Sequence, residues 1–407
     1  MKREKIPMKG LLWLFFVSFL VYAIYFNCFG TNAETAMTFL KIDESGLGVI
    51  MTAQSVGGVI MTVLLGLFGE RINKIYGVAA GLGLMGAGAV LIGLIPIFCE
   101  EGQGYGLLLI FSFLAGLGAL TVDLLMNGVI TDLYPEKKNT LLPYVHAFYG
   151  MGAMAAPMFV TMLASPDRPT SFGQPYFAVG IIALCITGLL CISGRKYTPE
   201  TPYRDMTDWR ERVTENPAEV FRDKRAWFYL LCCFLYLCFQ SGLTAWLPQF
   251  CMHELGFAYH DSAMLATLYF LGALAMRLLA PVIFRRITVK NFYVITISAS
   301  AVLLALFLVW HPELWAARIL IAAIGFLQGA SVPALVILCS DAFPGRSASA
   351  SSVIVLGVSL AAMAAPSVMG LIIRAQSYMG AMVLILACLP CSIPVLVAVS
   401  RMKKKEK

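Results

Sequence analysis

Charged side chains are scarce in this 407-residue sequence, where Asp, Glu, Lys and Arg together make up 13%. Soluble globular chains carry about 25%. With 59% of its residues hydrophobic, a water-soluble fold could not hide its apolar surface, so lipid is the expected solvent for most of the chain. The net charge of +7 does not mark a nucleic-acid surface, because the bases fall in short loops between apolar runs. Metal and redox chemistry has little to work with. The eleven cysteines mostly stand singly in apolar runs, and the one CxxC, Cys388 and Cys391, has no His or acidic neighbour, so packing is its expected role. No phosphate-cradling nucleotide loop is visible, which argues against an ATP-driven pump, and no nucleophile stands with a base, which disfavours an enzyme. No cofactor is expected. Short alternating segments, the mark of a membrane β-barrel, are missing too. Lys2, Arg3, Lys5 and Lys9 precede an apolar run from Leu11, but that run is long and lacks a small-residue cleavage site, so it reads as a membrane helix and not as a leader.

What is present is a series of long apolar runs. A spanning helix needs about 20 mostly apolar residues. Spans are predicted near 11–31, 47–69, 76–98, 105–130, 141–163, 175–194, 226–250, 262–284, 291–310, 314–340, 347–373 and 378–400. The expected fold class is therefore an all-α membrane protein of twelve transmembrane helices. Residues 195–225 form the one long break, rich in charges of both signs and holding Trp209. This divides the chain into a six-helix bundle over 1–194, a cytoplasmic linker over 195–225 with a surface-lying helix, and a second six-helix bundle over 226–407.

Basic residues set the orientation. Loops on one side hold Lys2, Arg3, Lys5, Lys9, Arg71, Lys74, Lys137, Lys138, Arg285, Arg286, Lys290, Arg346 and the tail from Arg401; those opposite hold Lys41, Arg168 and Arg374 beside Asp43, Glu44, Glu100, Glu101, Glu254 and Asp261. Positive charge is retained inside, so both termini are expected in the cytoplasm of a multi-pass plasma-membrane protein.

The halves repeat each other. Ala153-Met154-Ala155-Ala156-Pro157 recurs as Ala362-Met363-Ala364-Ala365-Pro366, 209 residues later. The same offset pairs Asp132 with Asp341, Pro135 with Pro344, Tyr134 with Phe343, Lys137 with Arg346 and Gly116 with Gly325. Gapless agreement of an acid, a proline and a base implies two parallel repeats, a known transporter plan in which two bundles rock around a midplane site. Glycines on several spans would allow close, sliding helix contact.

Polar residues inside the spans need a reason, because an ionisable side chain there costs roughly 2.5–3.5 kcal/mol on insertion scales. Asp123 precedes Asp132 by nine residues, which places it about 13 Å inside span 4. Asn127, one turn on, shares its face. A carboxylate at that depth is expected neutral or paired, which suits a proton carrier; its structural alternative is a hydrogen bond to a neighbouring helix. His146, near the start of span 5, is read as a proton relay, a solute ligand or a packing group. Arg277 lies about 12 Å inside span 8 and would either snorkel to the headgroups or point inward. Glu34 is read as capping the outer end of span 1. Asn27, Gln54, Gln240, Trp246, Gln249 and Gln328 supply amide and aromatic chemistry suited to a polyol, with Met37, Phe148 and Tyr269 as further lining. Helix-to-helix hydrogen bonding is the plainer reading of the amides. A proton site at Asp123 and His146, and a solute site drawing on Gln54, Asn127, His146, Gln240, Trp246 and Gln328, follow as expectations.

The loop after span 2 reads Gly66-Leu67-Phe68-Gly69-Glu70-Arg71-Ile72-Asn73-Lys74. It resembles the signature of the major facilitator superfamily, with Glu70 for the usual Asp and Asn73 for the usual Gly. Asp123 and Asn127, followed by Leu142-Pro143-Tyr144-Val145-His146-Ala147-Phe148-Tyr149-Gly150-Met151-Gly152-Ala153, look like the fucose-permease-like group of sugar:proton symporters. Pro143 stands where that group usually has Asn, and His146 where the fucose permeases have Gln. Their span 1 acid has no clean counterpart here. The resemblance implies a cytoplasmic gate in which Arg71 pairs with Asp132 and Glu70 faces the helix amino terminus near Ser347 and Ser349, contacts expected to form when the cytoplasmic side is closed and to break when it opens; the plainer alternative is that these charges only set topology. The repeat suggests a twin, with Arg285 or Arg286 meeting Asp341. The expected function is secondary active transport of a small solute, proton-coupled, as a monomer and without nucleic acid, with sugar import as the leading case. A drug or metabolite exporter on the same fold is the alternative. A membrane sensor is the remote one, since 195–225 and 401–407 are short for a signalling domain.

Overall fold

A computed structural model describes residues 9–42, 44–165, 167–197, 219–374 and 378–402. The expected surface helix around Trp209, the loop acid Asp43 and the basic residues Lys2, Arg3 and Lys5 lie outside the described residues, as does the side chain of Glu34. The described residues are almost entirely helical. Their elements are α1 (Lys9–Thr31), α2 (Ala33–Leu40), α3 (Glu44–Phe68), α4 (Lys74–Phe98), α5 (Tyr105–Leu133), α6 (Lys138–Leu163), α7 (Gln174–Tyr197), the single turn α8 (Glu219–Arg222), α9 (Lys224–Glu254), α10 (Tyr259–Ile283), α11 (Val289–Trp310), α12 (Leu314–Gln328), α13 (Ser331–Ala342), α14 (Ser347–Arg374) and α15 (Tyr378–Arg401).

Among the described residues, eleven helical stretches are long and apolar enough to cross a bilayer, α12 and α13 counting as one. Helix α6 has the length, at 26 residues, but Pro143, Tyr144, His146 and Tyr149 make it less apolar. Polarity is reversed relative to a soluble protein. Ile97, Met162, Val309 and Leu371 stand outward, while Ser112, Asn127, Gln328 and a run of serines from Ser347 are buried. That arrangement is favourable only in an apolar solvent.

Local chemistry fixes the helix ends. Asn73 caps α4 by accepting from the N–H groups of Ile75 and Tyr76, Asp223 caps α9 through the Arg225 N–H at 2.8 Å, and Thr288 caps α11 through that of Asn291. The long span expected over 314–340 is broken: α12 ends at Gln328 and α13 starts at Ser331.

By internal contacts the chain forms two compact units, one of residues 1–134 and 148–217, the other of residues 135–147 and 218–407. The first ten residues of α6 thus belong with the second unit, although the chain places them in its first half. In the first unit α4 packs on α5 and α7, and α3 on α5; in the second, α9 packs on α14 and α15, and α10 on α12. The repeat is visible in the packing. A Cβ on Gly116 would lie 2.0 Å from the Gln54 carbonyl oxygen where α5 crosses α3, and one on Gly325 would lie 2.0 Å from that of Tyr269 where α12 crosses α10. Only glycine permits either crossing. Tyr134 and Phe343 also end their helices alike, with φ,ψ of −130°,53° and −128°,66°.

Candidate solute and proton sites

Helix α5 carries Asp123 at mid-length, half-buried, and Asn127 one turn on, buried. The Asn127 Nδ2 donates to the Asp123 backbone carbonyl at 2.8 Å, and Thr131 Oγ1 donates to the Asn127 carbonyl at 2.8 Å. Part of the Asn127 amide is therefore spent within its own helix, as short polar side chains in spans often are. Asn27 does the same on α1, donating to the Ala23 carbonyl. Asp123 lies within electrostatic reach of Tyr22. The Tyr22 ring is 5.5 Å from that of Tyr149 and 5.3 Å from that of Phe19, and Phe19 stands 5.8 Å from Tyr149. In the first unit a half-buried acid thus stands within electrostatic reach of Tyr22, whose ring belongs to a group with Phe19 and Tyr149. Sequence reading had not singled out Tyr22, Tyr149 or Phe19 as site residues. The spacing of Phe19, Tyr22 and Phe26 along one face of α1 is the signal that would have found the first two. Gln54 is buried on α3 in the same unit, its carbonyl against Gly116.

The second unit holds the other polar group. Arg277 on α10 does not run toward the helix end. Its Nε donates to the Gly329 carbonyl at 2.9 Å and its Nη1 to the His146 carbonyl at 3.2 Å. The Tyr236 hydroxyl on α9 donates to the Gln328 carbonyl at 3.0 Å. Gln328 and His146 are both buried. Gln240 is half-buried one turn beyond Tyr236. Trp246 is half-buried but lies six residues past Gln240, about 9 Å along α9, with its ring against Gly370 of α14; it is not part of the Arg277 group. Gln249 is exposed.

The charged clusters at the helix ends differ from expectation in their partners. Asp132 is met by Lys74 at 2.6 Å, and the same ammonium holds Glu70 at 2.5 Å. Arg71 is exposed and stands 5.5 Å from the Phe68 ring centre. The expected Arg71–Asp132 pair is therefore corrected to a Lys74 bridge. Arg71 ends the tight turn Gly69–Arg71, which directs it outward. The Asn73 cap makes Lys74 the first residue of α4, and the packing of α4 on α5 carries it to the end of α5. The twin pair is corrected too. Asp341 bonds Lys138, while Arg285 and Arg286 are exposed. Those arginines follow α10, whereas Lys138 opens α6 within the second unit. Arg346, for its part, reaches Glu219 at 2.9 Å.

Known proteins agree with this architecture. The model of the Major Facilitator Superfamily matches residues 14–287 and 249–407. An uncharacterized MFS-type transporter, YfkL of Bacillus subtilis (strain 168), is 23% identical over 353 residues, which cover 85% of this chain and 84% of that protein. Among solved structures, the E. coli fucose:proton symporter FucP in its outward conformation matches with a TM-score of 0.76 at 16% identity, over 96% of this chain and 99% of that one. A bacterial homologue of the iron transporter ferroportin, outward-facing, matches with a TM-score of 0.73 at 14% identity, over 96% and 99%. At these identities the solved structures speak for the fold alone. The family match spans the chain, and the helices, the repeat and the inward-facing polar groups fit it: this chain belongs to the Major Facilitator Superfamily.

Proposed function

We propose that the chain is a proton-coupled secondary transporter that imports a small polyhydroxylated solute by alternating access. The observation that carries the reading is Asp123, a carboxylate midway along a spanning helix and within electrostatic reach of Tyr22, whose ring lies against those of Phe19 and Tyr149. A group that can alternate between charged and neutral forms at such depth suits proton binding, and aromatic faces suit the apolar sides of a sugar ring. In this reading twelve helices cross the plasma membrane, α6 being the twelfth, with both termini cytoplasmic and the monomer as the working unit. Residues 1–194 and 226–407 act as the two bundles, joined by a linker over 195–225. His146 joins Asp123 in proton transfer, and Gln54, Asn127, Gln240, Trp246 and Gln328 contribute to solute binding. Glu70, Arg71, Asp132, Arg285, Arg286 and Asp341 belong to the cytoplasmic gate, with Lys74 and Lys138 as the bases that hold its acids.

Counterflow into proteoliposomes tests the reading. Purified protein preloaded with a panel of sugars, sugar acids and nucleosides is expected to exchange at least one of them with external label. Exchange no faster than in empty liposomes across the panel contradicts the proposal.

A further inference from the structure

Three bases at the end of the second unit where α9, α11 and α14 begin are matched by acids. Lys138 holds Asp341, Arg225 holds Asp223 and Arg346 holds Glu219. Four other bases gather at one corner of that end. Arg285 and Arg286 lie in the loop from α10 to α11, Lys290 is in the first turn of α11, and Arg401 closes α15. Among the described residues none of these four meets an acid, and Glu219, Asp223 and Asp341 are held elsewhere.

The corner is tied together by short-range contacts. Helix α11 packs on α15. The Lys290 Nζ donates to the Ser400 hydroxyl at 2.7 Å, which sets Lys290 against the residue before Arg401. Deeper between the same helices, the buried Tyr293 hydroxyl donates to that of Ser392 at 3.1 Å. The Phe284 ring stands edge-on to Phe292 at 5.0 Å, folding the Arg285–Arg286 loop back on α11. An ammonium has three donors and Ser400 takes one, and Arg285, Arg286 and Arg401 are exposed. Four cations held this close repel one another, so an anion at the corner is favourable. The adjoining surface is apolar: Val282 of α10, Ile287 of the loop and Ile295 of α11 all stand outward.

A negative group joined to apolar chains matches both surfaces, and basic pockets between membrane helices commonly take lipid headgroups. We infer that the corner formed by Arg285, Arg286, Lys290 and Arg401 binds the phosphodiester headgroup of an anionic phospholipid, whose acyl chains lie along the outward faces of α10 and α11. In the proposed orientation this is a lipid of the inner leaflet. A base that only sets topology needs no such grouping.

The purified full chain in detergent is titrated with dioleoylphosphatidylglycerol and with dioleoylphosphatidylcholine, and bound lipid is counted by native mass spectrometry. The two lipids share their acyl chains and differ in net charge. The wild type is expected to retain phosphatidylglycerol with an apparent affinity about tenfold or more above that for phosphatidylcholine. Arg401→Gln is expected to weaken phosphatidylglycerol about fivefold, and Arg285→Gln with Arg286→Gln about tenfold or more. Lys290→Met also removes the tie to Ser400, so the three exposed arginines carry the test. Arg222→Gln with Lys224→Gln removes two exposed bases that lie beside Glu219 and Asp223 in the chain, and is expected to change the affinity by less than about twofold. Excess inorganic phosphate is expected not to displace the lipid. Equal retention of the two lipids, full retention by the arginine variants, an equal loss in the Arg222 and Lys224 variant, or displacement by phosphate alone overturns the inference. Counterflow tests the transporter reading separately, so either can fail without the other.

Discussion

Replacing Lys74 by Met removes the cation shared by Glu70 and Asp132 while keeping most of the side-chain volume. Lys74 is 3% exposed, and its two carboxylate partners are 18% and 25% exposed. Hydrogen bonds to charged groups contribute about 1.5–3 kcal/mol each. Removing one member of a buried ion pair costs about 3–5 kcal/mol. Here the carboxylates retain partial access to solvent and can recover some hydration, so about 2–4 kcal/mol is expected. For a unit of roughly 200 residues that corresponds to about 4–16 °C in melting temperature. Arg71→Ala removes only an exposed side chain and should stay within about 0.5 kcal/mol. Asp132→Asn combined with Lys74→Met should cost less than the sum of the two, with a coupling of about 1–2 kcal/mol. The assay is scanning fluorimetry, in one detergent, of the wild type, the three single variants and the double variant. A loss at Arg71→Ala equal to that at Lys74→Met, or full additivity of the Lys74 and Asp132 changes, would refute the Lys74 bridge.

Gly116→Ala and Gly325→Ala should each destabilise by about 1–3 kcal/mol, because each Cβ would meet a carbonyl oxygen at 2.0 Å; equal melting temperatures for wild type and variants would show that the crossings are looser than described. Asp341→Asn should lower stability by no more than about 1 kcal/mol, since Asp341 is 55% exposed in its pair with Lys138; a loss comparable to that at Lys74→Met would contradict the distinction drawn between a buried bridge and a surface pair. Tyr149→Ala removes a ring from the group beside Asp123 and should weaken solute affinity in counterflow about tenfold, as expected for loss of an aromatic contact, whereas Trp310→Ala, at an exposed helix end, should leave it unchanged.

Much of the fold was legible because bilayer crossing imposes a single rule, a long apolar run, that survives without any tertiary knowledge. The repeat was equally open. The offset that pairs Gly116 with Gly325 and Tyr134 with Phe343 reappears as matched helix crossings and matched helix ends. Less was legible where a few backbone dihedrals decide the outcome. At the break after Gln328 the apolar run is interrupted only by Gln328, Gly329 and Ser331, with no proline until Pro333, too little to divide a span by hydropathy. The exchange of Arg71 for Lys74 depends on which residue the Asn73 cap places first in α4. Arg277 has the same sequence context whether it snorkels or turns inward; the carbonyls of Gly329 and His146 settle its direction, and both are distant in the chain. The Asn127 amide was read as facing the solute, but a bond within its own helix takes up part of it.

The account turns on Asp123 as the proton site, and proteoliposomes containing the Asp123→Asn variant test that most directly. With a solute that the wild type exchanges, an inward proton gradient should drive accumulation by the wild type and none by the variant, while exchange of solute down its own gradient persists in both. Undiminished uphill accumulation by the variant would contradict the account.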